Sequence, residues 1–114
     1  MVGGGPAGLE AARALGERGH EVTLFEKDDK IGGQFNMAKR IPGKEEFEET
    51  LRYFRTRIEK SGVTLSLSTP ATIDALREFD EVILATGVHP RQLDLPGIDH
   101  EKVLSYVEVL RDRK

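Results

Sequence analysis

The stretch MVGGGPAG, residues 1–8, decides the fold. Gly3, Gly5 and Gly8 form the pattern G-x-G-x-x-G, and each glycine has a separate physical task. The first permits a tight turn, the second lets a pyrophosphate approach the backbone, and the third lets a helix pack closely on a strand. Pro6 suits the first helical turn, where its missing N–H costs nothing. The helix beginning there would offer free N–H groups and a positive dipole end to phosphates. Alone the motif is weak, because glycine-rich turns without ligands are common. Its weight comes from the residues on its C-terminal side.

Leu9, Ala12 and Leu15 recur at helical spacing across Pro6 to Arg18, and Gly19 is placed to end that helix. Val22, Leu24 and Phe25 make a short β-rich run, read as a parallel strand because so short a link joins it to the helix. Glu26 then stands at the carboxyl end of the strand, where an acid can accept the hydroxyls of a ribose. A glutamate there disfavours a 2′-phosphate, since two anions would meet at short range. NAD and FAD both stay open on that ground. Residues 28–44, DDKIGGQFNMAKRIPGK, read as a long polar loop. Its Gly32, Gly33 and Gln34 would allow backbone contact with a second part of an extended ligand, which a simple NAD unit does not require.

Further along, Phe47, Leu51, Phe54 and Ile58 share one face of an amphipathic helix that Gly62 stops. Val63, Leu65 and Leu67 alternate with polar residues as in a half-exposed strand, and Ile73 to Glu78 suit a short helix. EVILATG, residues 81–87, reads as a buried parallel strand whose small terminal residues Ala85, Thr86 and Gly87 let a ligand come close. Ser105 and Glu108 have capping-box spacing ahead of a last short helix, whose RDRK ending reads as solvated. The succession is α/β with a parallel sheet: a partial Rossmann-like FAD-binding domain over residues 1–114, its first strand cut to about two residues. In this fold the first strand runs mid-sheet, so the chain is expected to be a piece of a larger protein and to bind FAD poorly by itself.

Composition narrows the function classes. The chain has 114 residues, a net charge of -3 and no cysteine. Scattered bases among acids provide no field for nucleic acid or an anionic membrane. Without cysteine the segment holds no disulfide framework, thiolate-bound metal or redox dithiol. No apolar run reaches membrane-span length and no signal-like start is present, so a cytoplasmic location is expected. His20, His89 and His100 have no partners at catalytic or metal spacing, and no acid–base catalyst or metal site is read here.

The motifs GGGPAG, LFEK, GGQ and ATG, in this order, resemble the FAD domain of flavoprotein oxidoreductases with two dinucleotide domains. The stretch IGGQFNMAKRIPGKEEFEETLRYFRTRIEKSGV, with ILATGVHPR and GIDHEKVLSYVEVLRDRK, is similar to the bacterial NADPH-dependent 2,4-dienoyl-CoA reductases. Trimethylamine dehydrogenase-like enzymes are cousins. The resemblance implies a parent with an FMN barrel and a 4Fe-4S cluster before this segment, and an NADPH domain and closing FAD segment after it. It implies NADPH as donor and a fatty acyl-CoA, bound by other domains, as substrate. Carried onto this sequence, Gly3, Gly5, Pro6, Ala7 and Gly8 would surround the FAD pyrophosphate and Glu26 would hold the adenosine ribose, with Lys27 near the adenine edge. Gly33 and Gln34 would follow the ribityl and phosphate portion, and Lys44, read as the first residue of a helix, is a candidate phosphate partner. The backbone of Ala71 would meet the adenine, while Ala85, Thr86 and Gly87 would pass near the cofactor. An amine dehydrogenase of the trimethylamine type, and a module that binds FAD or ADP without redox work, are the alternative readings.

Overall fold

The computed structural model describes all 114 residues. Its elements run α1 (Pro6–Glu17), β1 (Thr23–Phe25), α2 (Phe35–Ala38), α3 (Phe47–Lys60), β2 (Thr64–Ser66), α4 (Ile73–Leu76) and α5 (Tyr106–Leu110). β1 and β2 pair in parallel, with Thr23 opposite Thr64 and Phe25 opposite Ser66. Val2 bridges Phe25 on one side and Leu84 on the other, both in parallel. The resulting order is β2, β1, Val2, Leu84, so the two residues before the glycine loop lie mid-sheet. The Gly3 N–H donates to Phe25 O and the Ala85 N–H to Val2 O, at 2.9 and 2.8 Å.

Two successive steps of this order run in one direction, so right-handed crossovers place α1 and α3 on the same face. They pack against each other there. Leu9 and Ala12 of α1, Leu24 of β1, and Phe54 and Ile58 of α3 form the buried cluster with Met1, Val22 and Ile31. Small residues on α1 let it lie close to the sheet, while the apolar positions of α3 fall three and four apart and meet one face. The polar rim is tied by Arg57 and Glu17 at 2.7 Å. Phe25 points away from this core, as alternation along a strand requires, and meets Phe79 edge-on at 5.9 Å between centroids.

Three readings need correction. Residues 28–44 are not a simple loop, because α2 forms within them and is held on α3 by Phe35 and Phe47, 4.6 Å apart, and by Lys39 and Glu48 at 2.5 Å. Lys44 is not the first residue of a helix: it lies in the turn before α3, which starts at Phe47. EVILATG is not a buried strand; Leu84 makes a single bridge, and Ile83 and Leu84 are 42% and 70% exposed. An apolar run sets the demand for cover but cannot supply it. Within the run Ala85 packs against the core, while Val82, Ile83 and Leu84 stay exposed. Between Ala85 and Ser105 there are turns but no helix or strand.

Candidate dinucleotide site

The glycine loop shows its three tasks as separate geometries. Gly3 has φ +106°, and a Cβ there would lie 2.2 Å from Ala85 O. A Cβ on Gly8 would lie 1.9 Å from Gly3 O, so the first turn of α1 rests directly on the loop. Gly5 differs: its Cβ would reach only Gly33 Cα, at 3.9 Å. Space is therefore withheld at Gly3 and Gly8 by the protein's own backbone, and left open at Gly5. The N–H groups of Gly5, Ala7 and Gly8 donate to no acceptor within the chain. Free amides at the start of a twelve-residue helix, beside an open glycine face, fit a pyrophosphate.

Glu26 is 7% exposed at the end of β1. Its own N–H donates to Ser66 O and its carbonyl accepts from Thr69, both at 2.9 Å, so strand pairing and the turn after β2 fix the residue. The carboxylate accepts the Gly4 N–H on one oxygen and the Asp28 N–H, at 3.1 Å, on the other. Two backbone donors thus hold a buried anion beside the glycine loop. Lys27, next in the chain, is exposed. Ala71 is half-buried in the extended segment after β2, two residues beyond Thr69, whose N–H reaches Glu26 O.

A second group of residues gathers around a cleft of about 250 Å³. Lys27, Gly33, Gln34 and Thr86 line it together with Arg40 and Tyr106. The Gln34 side chain donates to Val88 O at 3.2 Å, joining the glycine-pair segment to the chain beyond Gly87. Ala85 is tied to Val2 and fills the space next to Gly8 with a single methyl group. Lys44 is exposed and does not line this cleft. A larger cleft, about 600 Å³, lies at the N-terminal ends of the strands between Met1, Val22, Phe79 and Ile83. Open parallel sheets bind ligands beyond their carboxyl ends, so the smaller cleft, continuous with Gly33 and Thr86, is the candidate site.

The model of the family described as pyridine nucleotide-disulphide oxidoreductase matches residues 1–114. The chain belongs to this family. It is an FAD- or NAD(P)-binding module of flavoprotein oxidoreductases. The N,N-dimethylglycine/sarcosine dehydrogenase of Chromohalobacter salexigens is 44% identical over 94% of this chain and 16% of its own length. The cinnamate reductase of Clostridium sporogenes is 40% identical over 100% of this chain and 17% of its own length. A solved 2-naphthoyl-CoA reductase, in complex with 2-naphthoyl-CoA, superposes with a TM-score of 0.92 at 37% identity, covering 99% of this chain and 17% of that one. The chain thus spans about a sixth of the length of the curated relatives it matches.

In this pyridine nucleotide-disulphide oxidoreductase module, the sequence motifs singled out most of the residues at the glycine loop. Gly4 was not among them, although its N–H engages Glu26; the run of three glycines was the available signal. Arg40, Tyr106 and Arg111 also went unread as cleft residues. No local spacing marks them, because Arg40 meets the end of α5 across 70 and 71 residues of chain. No helix is long and apolar enough to cross a membrane.

Proposed function

We propose that this chain is the FAD-binding segment of an NADPH-dependent 2,4-dienoyl-CoA reductase acting in fatty acid oxidation. The parent's donor is NADPH, its acceptor an unsaturated fatty acyl-CoA held by other domains, and its carriers FAD, a 4Fe-4S cluster and FMN. The observation that carries the FAD assignment is the cleft where Gly33, Gln34 and Thr86 gather, room for a second part of an extended ligand, together with the buried Glu26 carboxylate beside the glycine loop. That carboxylate favours a ribose with a free 2′-hydroxyl over the 2′-phosphate of NADPH. Similarity to a 2-naphthoyl-CoA reductase supports an acyl thioester as the substrate class.

FAD, when bound, supplies a centre that takes up two electrons together and releases them singly. The residues of this chain bind and orient it. The Gly5, Ala7 and Gly8 amides hold the pyrophosphate, with Gly3 and Pro6 shaping the turn, and Glu26 accepts the ribose hydroxyls. Lys27 and the Ala71 backbone border the adenine, while Gly33, Gln34, Ala85, Thr86 and Gly87 flank the remainder. Lys44 has no assigned contact. None of these side chains moves a proton during turnover.

Purified full-length protein should contain FAD and FMN in equal amounts by chromatography of the released flavins. Its visible absorbance should bleach anaerobically with NADPH and recover with a 2,4-dienoyl-CoA. The 44% identity to N,N-dimethylglycine/sarcosine dehydrogenase supports amine oxidation as the second reading. Bleaching by a methylated amine, with no response to NADPH, would establish that reading instead. A colourless protein would leave a binding module without redox work.

A further inference from the structure

α2 and α5 have four and five residues, too few to persist without tertiary support. The N-terminus of α5 is closed by its capping box, Ser105 with Glu108. Its C-terminus is closed from a distance. Nη1 of Arg40 donates to both Leu110 O and Arg111 O, at 2.6 Å each. These are carbonyls that a helix end leaves without intrahelical partners, at the negative end of its dipole. The segment that carries Arg40 is anchored on α3 through Phe35 against Phe47 and Lys39 against Glu48. Arg40 therefore joins an anchored wall of the smaller cleft to one that has no other long-range hydrogen bond from its C-terminus. The second wall carries Tyr106 and Arg111 to face Gln34 and Thr86.

We propose that Arg40 is a positioning residue for the cofactor: it clamps α5 across the cleft so that Tyr106 and Arg111 enclose the ligand beside Gln34. The inference rests on the reading that FAD occupies this site. A planar guanidinium that serves two carbonyls from one nitrogen is poorly replaced by a flexible ammonium, so lysine should restore only part of the function.

The test uses full-length holoprotein, stripped of FAD and reconstituted, with Arg40→Ala and Arg40→Lys variants. FAD dissociation constants are read from flavin fluorescence, and the bound geometry from visible circular dichroism. Arg40→Ala should weaken FAD binding about tenfold, the scale of one charge-assisted hydrogen-bond pair, and alter the dichroism. Arg40→Lys should fall between Arg40→Ala and wild type. Added methylguanidinium should restore the affinity and dichroism of Arg40→Ala, a rescue that general misfolding does not permit. Wild-type affinity and dichroism in Arg40→Ala would overturn the clamp, as would equal losses in both variants without rescue. Wild-type protein without FAD would overturn the cofactor reading and the clamp with it, whereas FAD-loaded wild type with an unaltered Arg40→Ala variant would overturn the clamp alone.

Discussion

The Glu26 carboxylate accepts the backbone N–H of Gly4, joining the end of β1 to the middle of the glycine loop across 22 residues of chain. Both groups are buried. The acid expected to recognise a ribose therefore also holds the loop expected to recognise the phosphates.

Substitutions at Glu26 should separate these two roles. Glu26→Ala leaves the Gly4 N–H buried without its acceptor, a loss of about 1–3 kcal/mol. It should lower the thermal midpoint of the FAD-free protein as well as FAD affinity. Glu26→Gln keeps an acceptor oxygen, so its FAD-free midpoint should stay closer to wild type while FAD affinity still falls. Equal midpoints for wild type and Glu26→Ala would show that the Gly4 contact contributes nothing.

Gly8→Ala tests the packing of α1 on the loop. The new methyl would meet Gly3 O at 1.9 Å, and that atom belongs to backbone that cannot turn aside. Either α1 or the loop must move, at a cost of about 1–3 kcal/mol typical of overpacking. Flavin content after purification and the midpoint of urea unfolding should both drop. A variant with full flavin content would refute this close approach.

The core and the apolar run at residues 81–87 should answer differently to truncation. Leu24 is fully buried, and Leu24→Ala should destabilise the 114-residue chain by about 2–5 kcal/mol. Leu84 is 70% exposed, and Leu84→Ala should change its stability by less than about 0.5 kcal/mol. Urea titration of the two variants gives both numbers. A larger loss at Leu84 than at Leu24 would contradict the observed burial.

The docking of α5 should weaken in acid. Hydrogen bonds from the Ser105 backbone and hydroxyl hold the Glu108 carboxyl below its ordinary range. A folded-state pKa lower than the unfolded one contributes stability above the unfolded value, and that contribution is lost as pH falls through the folded value. Amide hydrogen exchange of Tyr106–Leu110, measured against pH and corrected for its intrinsic rate, should show protection at neutral pH that declines in this acid window. Glu108→Gln, which cannot ionise, should flatten the decline. An identical pH dependence in wild type and Glu108→Gln would rule out this origin.

Local signals were legible where the chain satisfies its own geometry within a few residues. Pro6 opening a helix, the apolar face of Leu51, Phe54 and Ile58, and the Ser105–Glu108 box all depend on neighbours three to seven positions apart, and each is present. The glycine spacing with Glu26 placed the loop and the acid in the right fold, because the α/β order leaves few arrangements for them. The burial assigned to residues 81–87 was not legible. Apolar composition states what a segment requires, and cover must come from other elements.

What the sequence by itself determined is the class of fold and the dinucleotide loop, since backbone sterics and helix termini act through adjacent residues. Only the tertiary structure decided that Gly4 meets Glu26 and that Arg40 closes α5 from 70 residues away. It also put Lys44 outside the cleft. Those outcomes depend on which surfaces the folded chain brings within hydrogen-bond reach, and hydrogen-bond reach in space carries no periodicity along the chain.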